Sequence, residues 1–350
     1  MRTVQATGNA GNEREDRVPT WRSLAGRLLA GTMTPAPAAV LAAVLAGGLA
    51  AAAAGGVACH ADSGLAAPFC DRTGDLLADL PEDPAQWRDP PTLVWAYTPI
   101  EDPAVYAELF KPFTTHLAEC VGRQVVYYPV QSNASQVEAL RTGRIHFAGF
   151  STGATVVAVR QGGAVPFAAK GMEDGIRGYR LVAVVRADSP FRALAELRGK
   201  RVAHVSEMSN SGNLAPRALF PDEGLVPDVD YLPIYSGAHD RSLIGVLQGD
   251  YHMAAVASDV LERMTERGIV PQGSLRVIHE SALFPTSSFV HAHNLAPGLA
   301  ERLRDCFFSF AFPPEMSGEF NGDDRFLPLD YRTDWQVVRD VLDQVGVVFD

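Results

Sequence analysis

The sequence predicts an α/β protein of two lobes, each built on a mostly parallel β-sheet flanked by helices. A chain of 350 residues is too long for one small domain, and about two domains is the natural expectation. Its composition, with 47% hydrophobic and 20% charged residues, is that of a folded globular protein. Short apolar segments alternate with helical patterns along the chain, and this alternation is typical of parallel strands covered by helices.

The residues before the first strand are predicted to serve export. Residues 1–59 join an arginine-containing start to an uncharged, alanine-rich run, as export signals do. A permanent membrane-anchoring helix is the alternative. The run Gly56-Val57-Ala58-Cys59 resembles a lipoprotein processing site, so Cys59 is a candidate for lipid attachment. Membrane association is expected only through this possible lipid anchor. Residues 60–91, rich in Asp, Pro and Gly, are predicted to form a linker or an ordered coil.

The first lobe is predicted to begin near Thr92. A short apolar run at 93–97 indicates a buried strand that stops before Pro99. Residues 103–121 indicate a helix, because apolar side chains recur every four residues and Asp102 precedes Pro103 as a candidate N-cap. The later elements predicted for this lobe are strands at 124–130, 145–150 and 179–186, and helices that begin at Ser132 and Ser151.

The same alternation continues in a second lobe and then returns to the first. The elements predicted for the second lobe are strands at 201–205, 231–235 and 252–257, and helices at 214–220, 239–248 and 258–267. Residues 276–279 and 284–291 are expected to cross back, and helices at 297–310 and 335–345 to pack on the first lobe. The predicted lobes are therefore residues 92–186 with 285–350, and residues 187–284.

Charge and cysteine content restrict the function. A net charge of −11 and a pI near 5.3 argue against nucleic-acid binding, so an anionic ligand would be held by local hydroxyls, backbone N–H groups and helix N-termini. The cysteines show no zinc-site spacing, and no metal or cofactor is predicted. In an exported protein Cys120 can pair with Cys306 and Cys59 with Cys70, whereas a lipid on Cys59 would leave Cys70 unpaired.

Clusters of small polar residues follow several predicted strands, where an α/β fold collects its ligands. Ser209, Asn210 and Ser211 come between a predicted strand and a helix, and Ser151 and Thr152 hold the equivalent place in the first lobe. Hydroxyls and backbone N–H groups at such helix starts can surround an anion. The alternative is that these residues only cap their helices.

Three further residues at strand ends are candidate ligand contacts. Tyr97 could donate its phenol O–H, or be an ordinary half-buried aromatic residue. His239 is expected at a helix start, where it would stay neutral and donate one hydrogen bond, although an isolated histidine is usually structural. Asp259 could cap a helix, and as a binding group it would suit a ligand that also carries an amine or a proton.

The same sequence offers no catalytic motif. It contains no G-x-S-x-G elbow, no G-x-x-x-x-G-K-[ST] phosphate loop and no H-E-x-x-H helix. The sequence therefore predicts a binding protein rather than an enzyme. An enzyme acting on a phosphoester is the competing hypothesis, and it would need a metal site or a nucleophile.

Several stretches together resemble the phosphate, phosphite and phosphonate periplasmic binding protein family associated with ABC importers. They share order and spacing with the family between about residues 92 and 348, and they are Trp95-Ala96-Tyr97-Thr98-Pro99, residues 139–151, Ser209-Asn210-Ser211-Gly212 with Pro216, residues 236–240, and residues 254–261. The resemblance implies a two-lobed periplasmic-binding-protein fold of type II, joined by hinge crossovers. It also implies an exported protein that delivers its ligand to the membrane subunits of an ABC importer.

The resemblance further implies which residues hold the ligand. It assigns the phosphorus oxyanion to the following side chains: Tyr97, Ser151, Thr152, Ser209, Asn210, Ser211 and His239. Asp259 lies where aminoalkylphosphonate binders of the family carry a carboxylate for the amine, but residues 285–288 offer Thr286, Ser287 and Ser288 in place of a second one. Phosphite, a short alkylphosphonate and phosphate therefore stay open as ligands, as does another small anion that feeds a different importer or a sensor.

Overall fold

The computed structural model describes residues 58–98 and 103–346. The predicted export segment, residues 1–59, lies almost entirely outside the described residues. Among the helices of the described ranges, none combines the length and the apolar character that crossing a membrane requires.

The described strands form two sheets. The strands are β1 (Thr92–Tyr97), β2 (Gln124–Tyr127), β3 (Phe147–Phe150), β4 (Ala164–Met172), β5 (Gly175–Ile176), β6 (Gly178–Arg186), β7 (Val202–His204), β8 (Pro233–Tyr235), β9 (Met253–Ala257), β10 (Leu275–Pro285), β11 (Ser288–Ala292) and β12 (Arg325–Pro328). Sheet 1 has the order β12-β4-β11-β3-β1-β2, with β5 paired to β4, and sheet 2 has the order β10-β6-β9-β7-β8. Each sheet is the centre of one lobe.

Both sheets are mixed, whereas the sequence suggested mostly parallel sheets. Parallel pairing joins β1 to β2 and β3 in sheet 1, and β7 to β8 and β9 in sheet 2. The strands nearest the passages between the sheets, β4, β6, β10 and β11, pair antiparallel with their neighbours. The strand expected at the end of lobe 1, β6, belongs to sheet 2, because the chain passes from one sheet to the other directly after β5.

Helices cover both sheets. They are α1 (Pro103–Leu109), α2 (Lys111–Val121), α3 (Asn133–Arg141), α4 (Thr152–Gly162), α5 (Ala215–Leu219), α6 (His239–Gln248), α7 (Ser258–Glu266), α8 (Pro297–Phe308), α9 (Pro314–Glu319), α10 (Tyr331–Asp334) and α11 (Gln336–Val345). The single helix expected at 103–121 is interrupted at Phe110. Pro112, the second residue of α2, causes this break, because its ring removes an N–H donor and clashes with the carbonyl four residues earlier.

Part of the apolar core is shared by the two lobes. One buried cluster contains Val156 of α4, Leu214 and Ala215 at the start of α5, and Val338 and Leu342 of α11. The C-terminal helix α11 therefore packs against a helix of each lobe. The indole Nε1 of Trp335, next to α11, donates a hydrogen bond to the backbone oxygen of Thr152 at 3.0 Å.

The segment at 58–91 is an ordered coil that packs on lobe 1. The carboxylate of Asp71 is fully buried and accepts hydrogen bonds from the backbone N–H groups of Thr73, Gly74 and Leu76. The backbone N–H of Ala66 donates to the oxygen of Arg160 in α4 at 2.8 Å. Local and long-range hydrogen bonds thus fix this segment.

Two disulfides, Cys59–Cys70 and Cys120–Cys306, hold the coil and join α2 to α8. A lipid thioether at Cys59 needs the same sulfur atom, so that disulfide and a lipid anchor exclude each other. We expect a thiol reagent to detect no free cysteine in the unfolded, unreduced mature protein and four after reduction. One free thiol, together with a lipid mass on the N-terminal peptide, would contradict the Cys59–Cys70 bond.

Candidate functional site

A cavity of about 450 Å³ lies between the lobes and is lined by residues of both. It contains every side chain that the sequence suggested as a ligand contact: Tyr97, Ser151, Thr152, Ser209, Asn210, Ser211, His239 and Asp259. Tyr97 ends β1 and Ser151 follows β3, while Asp259 lies just after β9. The ends of strands from two sheets thus bring these residues together.

Ser151 and Thr152 stand at the start of α4 and differ in what their hydroxyls do. Ser151 holds the N-cap position, but its side chain makes no capping hydrogen bond, and its Oγ is shielded from solvent with no partner in the described residues. Thr152 Oγ1 donates a hydrogen bond to the backbone oxygen of Pro285, at the end of β10, at 3.0 Å. Its hydroxyl proton therefore already has an acceptor within the protein. Ser151 is therefore the hydroxyl available to a ligand here.

The Ser209–Ser211 segment opens a wide helical turn. The Oγ of Ser209 accepts a hydrogen bond from the N–H of Gly212 at 3.2 Å, which is the capping role expected as the alternative. The backbone N–H of Leu214 reaches the oxygen of Ser209, five residues back, and such wide turns are frequent at functional sites. Asn210 Oδ1 is buried with no partner among the described residues, and Ser211 is buried as well.

Tyr179, near the start of β6, connects the polar cluster at Ser151 and Thr152 with the cluster at 209–211. It was not predicted from the sequence as a residue of the site. Its Oη accepts a hydrogen bond from Asn210 Nδ2 at 3.2 Å and also interacts with the hydroxyls of Thr152 and Ser211. Burial raises the pKa of Tyr179 to about 12, so the phenol keeps its proton. A tyrosine in a strand looks like an ordinary core residue, and no local pattern distinguished it.

His239 is the first residue of α6 and is a neutral donor. Its Nδ1 accepts a hydrogen bond from the backbone N–H of Ala257 at 3.2 Å, so the ring proton belongs on Nε2. Burial, with a smaller contribution from Arg263, lowers the pKa of His239 to about 3. The sequence suggested a neutral imidazole on account of the helix dipole, whereas desolvation is the main cause.

Asp259 is a buried carboxylate in the first turn of α7. Its Oδ1 is shielded from solvent with no hydrogen-bond partner in the described part of the chain. Burial raises the pKa of Asp259, although Arg263, at 3.8 Å, and Lys170 act in the opposite direction.

Lys170 is the most consequential residue that the sequence reasoning missed. It lies on β4 and is 4% exposed, and its Nζ donates to Tyr97 Oη at 3.0 Å and to Ser287 Oγ at 2.6 Å. The phenyl ring of Phe320 lies 4.4 Å from the same Nζ. A lone lysine within the apolar run 164–172 was the available signal, because lysine is almost never fully buried without a reason.

Asp323 is a second buried carboxylate of the cavity, brought in from the chain beyond α9. Burial raises the pKa of Asp323, and Lys170 and Arg177 oppose this effect. The nearest cation is Arg177, whose Nε lies 3.9 Å from Asp323 Oδ1. The family resemblance places a second carboxylate near residues 285–288. The structure has no carboxylate at these positions, and Ser287 accepts a hydrogen bond from Lys170 there.

Two α/β lobes that share one polar cleft define a periplasmic-binding-protein fold. The chain is similar to the methylphosphonate complex of PhnD1 from Prochlorococcus marinus, with a TM-score of 0.66 and 17% identity, covering 74% of this chain and 100% of that one. It is also similar to a binding-protein component of an ABC phosphonate transporter from Pseudomonas aeruginosa, with a TM-score of 0.65, 20% identity and coverages of 73% and 87%. The predicted two-lobed fold is confirmed.

Residues 95–333 match the family described as "ABC transporter, phosphonate, periplasmic substrate-binding protein", and the chain belongs to this family. It is 26% identical over 241 residues to the phosphate-import protein PhnD of Mycolicibacterium smegmatis. The aligned region covers 66% of this chain and 75% of that protein. The family resemblance inferred from the sequence is thereby confirmed.

Proposed function

We propose that this protein is an extracytoplasmic solute-binding protein that captures a small phosphorus oxyanion and delivers it to an ABC importer. The observation that carries the proposal is one cavity that receives hydrogen-bond donors from both lobes. Ser151 and the first turn of α4 come from lobe 1, whereas Ser211 and His239 come from lobe 2. An anion between them would join the lobes.

The chemistry of these donors suits an oxyanion. Ser151, Ser211 and neutral His239 each offer one polar hydrogen, and the first backbone N–H groups of the eleven-residue α4 lack partners within the helix. Lys170 adds one positive charge at the same wall. These groups hold a compact anion without a basic surface, which agrees with the net charge of −11.

The relatives favour a phosphorus oxyanion as the ligand of this chain. The Prochlorococcus protein was solved with methylphosphonate, and the Mycolicibacterium relative is named for phosphate import. We therefore place phosphate, phosphite and short alkylphosphonates as the first candidates for this chain.

Opening and closing would occur where the chain passes between the sheets. These passages are at 176–178, between β5 and β6, and at 285–288, between β10 and β11. We propose lobe 1 as residues 92–177 with 286–346 and lobe 2 as residues 178–285. Ligand would favour the closed state because only there do both sets of donors reach it.

Export is part of the same proposal. The disulfides Cys59–Cys70 and Cys120–Cys306 suit an oxidising compartment outside the cytoplasmic membrane. Delivery to importer subunits follows from the family's association with ABC transporters.

Calorimetric titration of the mature chain tests the function. We expect saturable binding of at least one of phosphate, phosphite, methylphosphonate and 2-aminoethylphosphonate, and no comparable binding of sulfate. Replacement of Ser211 by alanine should weaken the tightest of these at least roughly tenfold, because one hydrogen bond to a charged group contributes about 1.5–3 kcal/mol.

The matched control is Ser274→Ala. Ser274 Oγ donates to Pro271 oxygen in an exposed turn of the same lobe, outside the cavity, so its loss should leave affinity unchanged. Tight sulfate binding, or failure of all four phosphorus anions with folded protein, would overturn the proposal. Turnover of a chromogenic phosphoester would revive the enzyme hypothesis.

A further inference from the structure

We propose that Lys170 provides the positive charge that holds the bound oxyanion, and that this same charge excludes ligands carrying an amine. The proposal rests on the function proposed above and deepens it by naming a specificity-determining residue. Lys170 projects from β4 into the cavity wall, where Tyr97 Oη and Ser287 Oγ accept two of its three N–H donors.

The other cations of the cavity wall already have carboxylate partners. Arg177 Nε lies 3.9 Å from Asp323, and Arg180 Nε lies 3.1 Å from Glu280. Arg263 lies 3.8 Å from Asp259. In the described residues no carboxylate oxygen comes within ion-pair distance of Lys170 Nζ, so this buried ammonium differs from the arginines around it.

A buried ammonium with no carboxylate in ion-pair contact is costly. Moving a charge out of water is unfavourable unless it is paired and hydrogen-bonded. The two hydroxyl oxygens and the ring of Phe320, 4.4 Å from Nζ, offset only part of that cost. An oxyanion in the cavity would complete the compensation, and the third N–H of Lys170 could bind one of its oxygens.

The same arrangement is unfavourable for an amine. The cavity carboxylates Asp259 and Asp323 each face an arginine, and the charge of Lys170 acts on both. A ligand ammonium would have to compete with these internal cations and would be repelled by Lys170 in a medium of low dielectric constant. The substrate class is therefore a small phosphorus oxyanion without a basic substituent.

Paired titrations with methylphosphonate and 2-aminoethylphosphonate test this proposal, because these ligands differ by the aminomethyl group. For the wild type we expect methylphosphonate to bind at least roughly 100-fold more tightly. In Lys170→Met, methylphosphonate should weaken roughly 10- to 100-fold, and the two affinities should come within about tenfold of each other.

Two further variants separate charge from folding. Lys111→Met removes one lysine charge from an exposed position on α2 and should change neither affinity. Ser287→Asp keeps Lys170 but gives it an internal carboxylate at its hydrogen-bonded neighbour, so methylphosphonate should again weaken at least roughly tenfold. Thermal unfolding of each variant verifies that it is folded.

The outcomes distinguish this proposal from the function on which it rests. If the wild type binds methylphosphonate and 2-aminoethylphosphonate equally, or if folded Lys170→Met retains wild-type affinity, this proposal alone is overturned. If the wild type binds none of phosphate, phosphite and the two phosphonates, the proposed function falls and this proposal with it.

Discussion

Replacing Gly153 by valine is expected to weaken ligand binding at least roughly thirtyfold while the protein still folds. Gly153 lies in the first turn of α4, in lobe 1. A Cβ atom at this position would lie 2.5 Å from the backbone oxygen of Met208 and 3.1 Å from the backbone nitrogen of Asn210. Real Cβ atoms do not approach backbone atoms at 2.5 Å, so any side chain here pushes α4 away from the Ser209–Ser211 segment.

The consequence of that push is functional, because it separates the donors. Ser151 on one side and Ser211 on the other could no longer reach one anion, and the apparent affinity falls with the fraction of binding-competent molecules. Gly153→Ala should weaken ligand binding for the same reason, by at least roughly tenfold. Calorimetry measures the affinity, and small-angle X-ray scattering with excess ligand should show the variant more extended than the wild type.

Gly162, at the other end of α4, supplies the matched control. A Cβ there would meet Val137 at 3.4 and 3.5 Å, which are ordinary contacts, so Gly162→Ala should bind like the wild type. Wild-type affinity in folded Gly153→Val would mean that ligand binding does not require the approach of α4 to the second lobe.

Much of the fold could be predicted because its elements carry local signals. The helix α6 was predicted with its observed bounds, His239–Gln248, since Gly249 ends it in the left-handed region at φ 84°. The strand β4 was not predicted, and it contains Pro166, a residue that normally argues against a strand. Here Pro166 lies next to an irregularity in the pairing with β11, one of the few places where a strand accepts proline.

The site could be predicted only as far as short-range patterns reach. Ser151 and Ser209 were found because each follows a strand and starts a helix. Lys170 and Ser287 meet across 117 residues of sequence, and that contact depends on the pairing of β4 with β11. Asp323 enters from a connection beyond α9. Such residues become visible only when the sheet order is known.

Acidification is expected to destabilise the protein steeply between pH 6.5 and pH 4. Buried His204 and His291 and half-buried His293 each have a pKa of about 4, and buried His239 has a pKa of about 3. Burial is the main cause in every case, and arginines near each ring act in the same direction.

The sign of the effect follows from proton binding. In the unfolded chain these histidines regain a pKa near 6.5, so the unfolded state binds more protons between pH 6.5 and 4. Stability is therefore present in full above pH 6.5 and falls as the pH falls through this window. Each histidine contributes up to about 1.4 kcal/mol per pH unit.

The buried carboxyls act in the opposite direction. Burial raises the pKa of Asp259 and of Asp323, so acidification relieves a penalty that these groups impose at neutral pH. The four histidines exceed these two carboxyls in number, and the net free energy of unfolding should still fall by at least about 3 kcal/mol from pH 7 to pH 5.

Urea unfolding of the ligand-free protein at pH 5, 6, 7 and 8 measures this dependence through the transition midpoint. His291→Gln should reduce the slope by about one histidine's share, because its neutral amide does not titrate. A uniform loss of stability from the substitution would shift every midpoint but leave the slope unaltered, so the slope reports protonation alone. A midpoint that stays constant from pH 7 to pH 5 would mean that the folded state takes up as many protons as the unfolded chain in this range, and the lowered pKa values of these histidines would then be wrong.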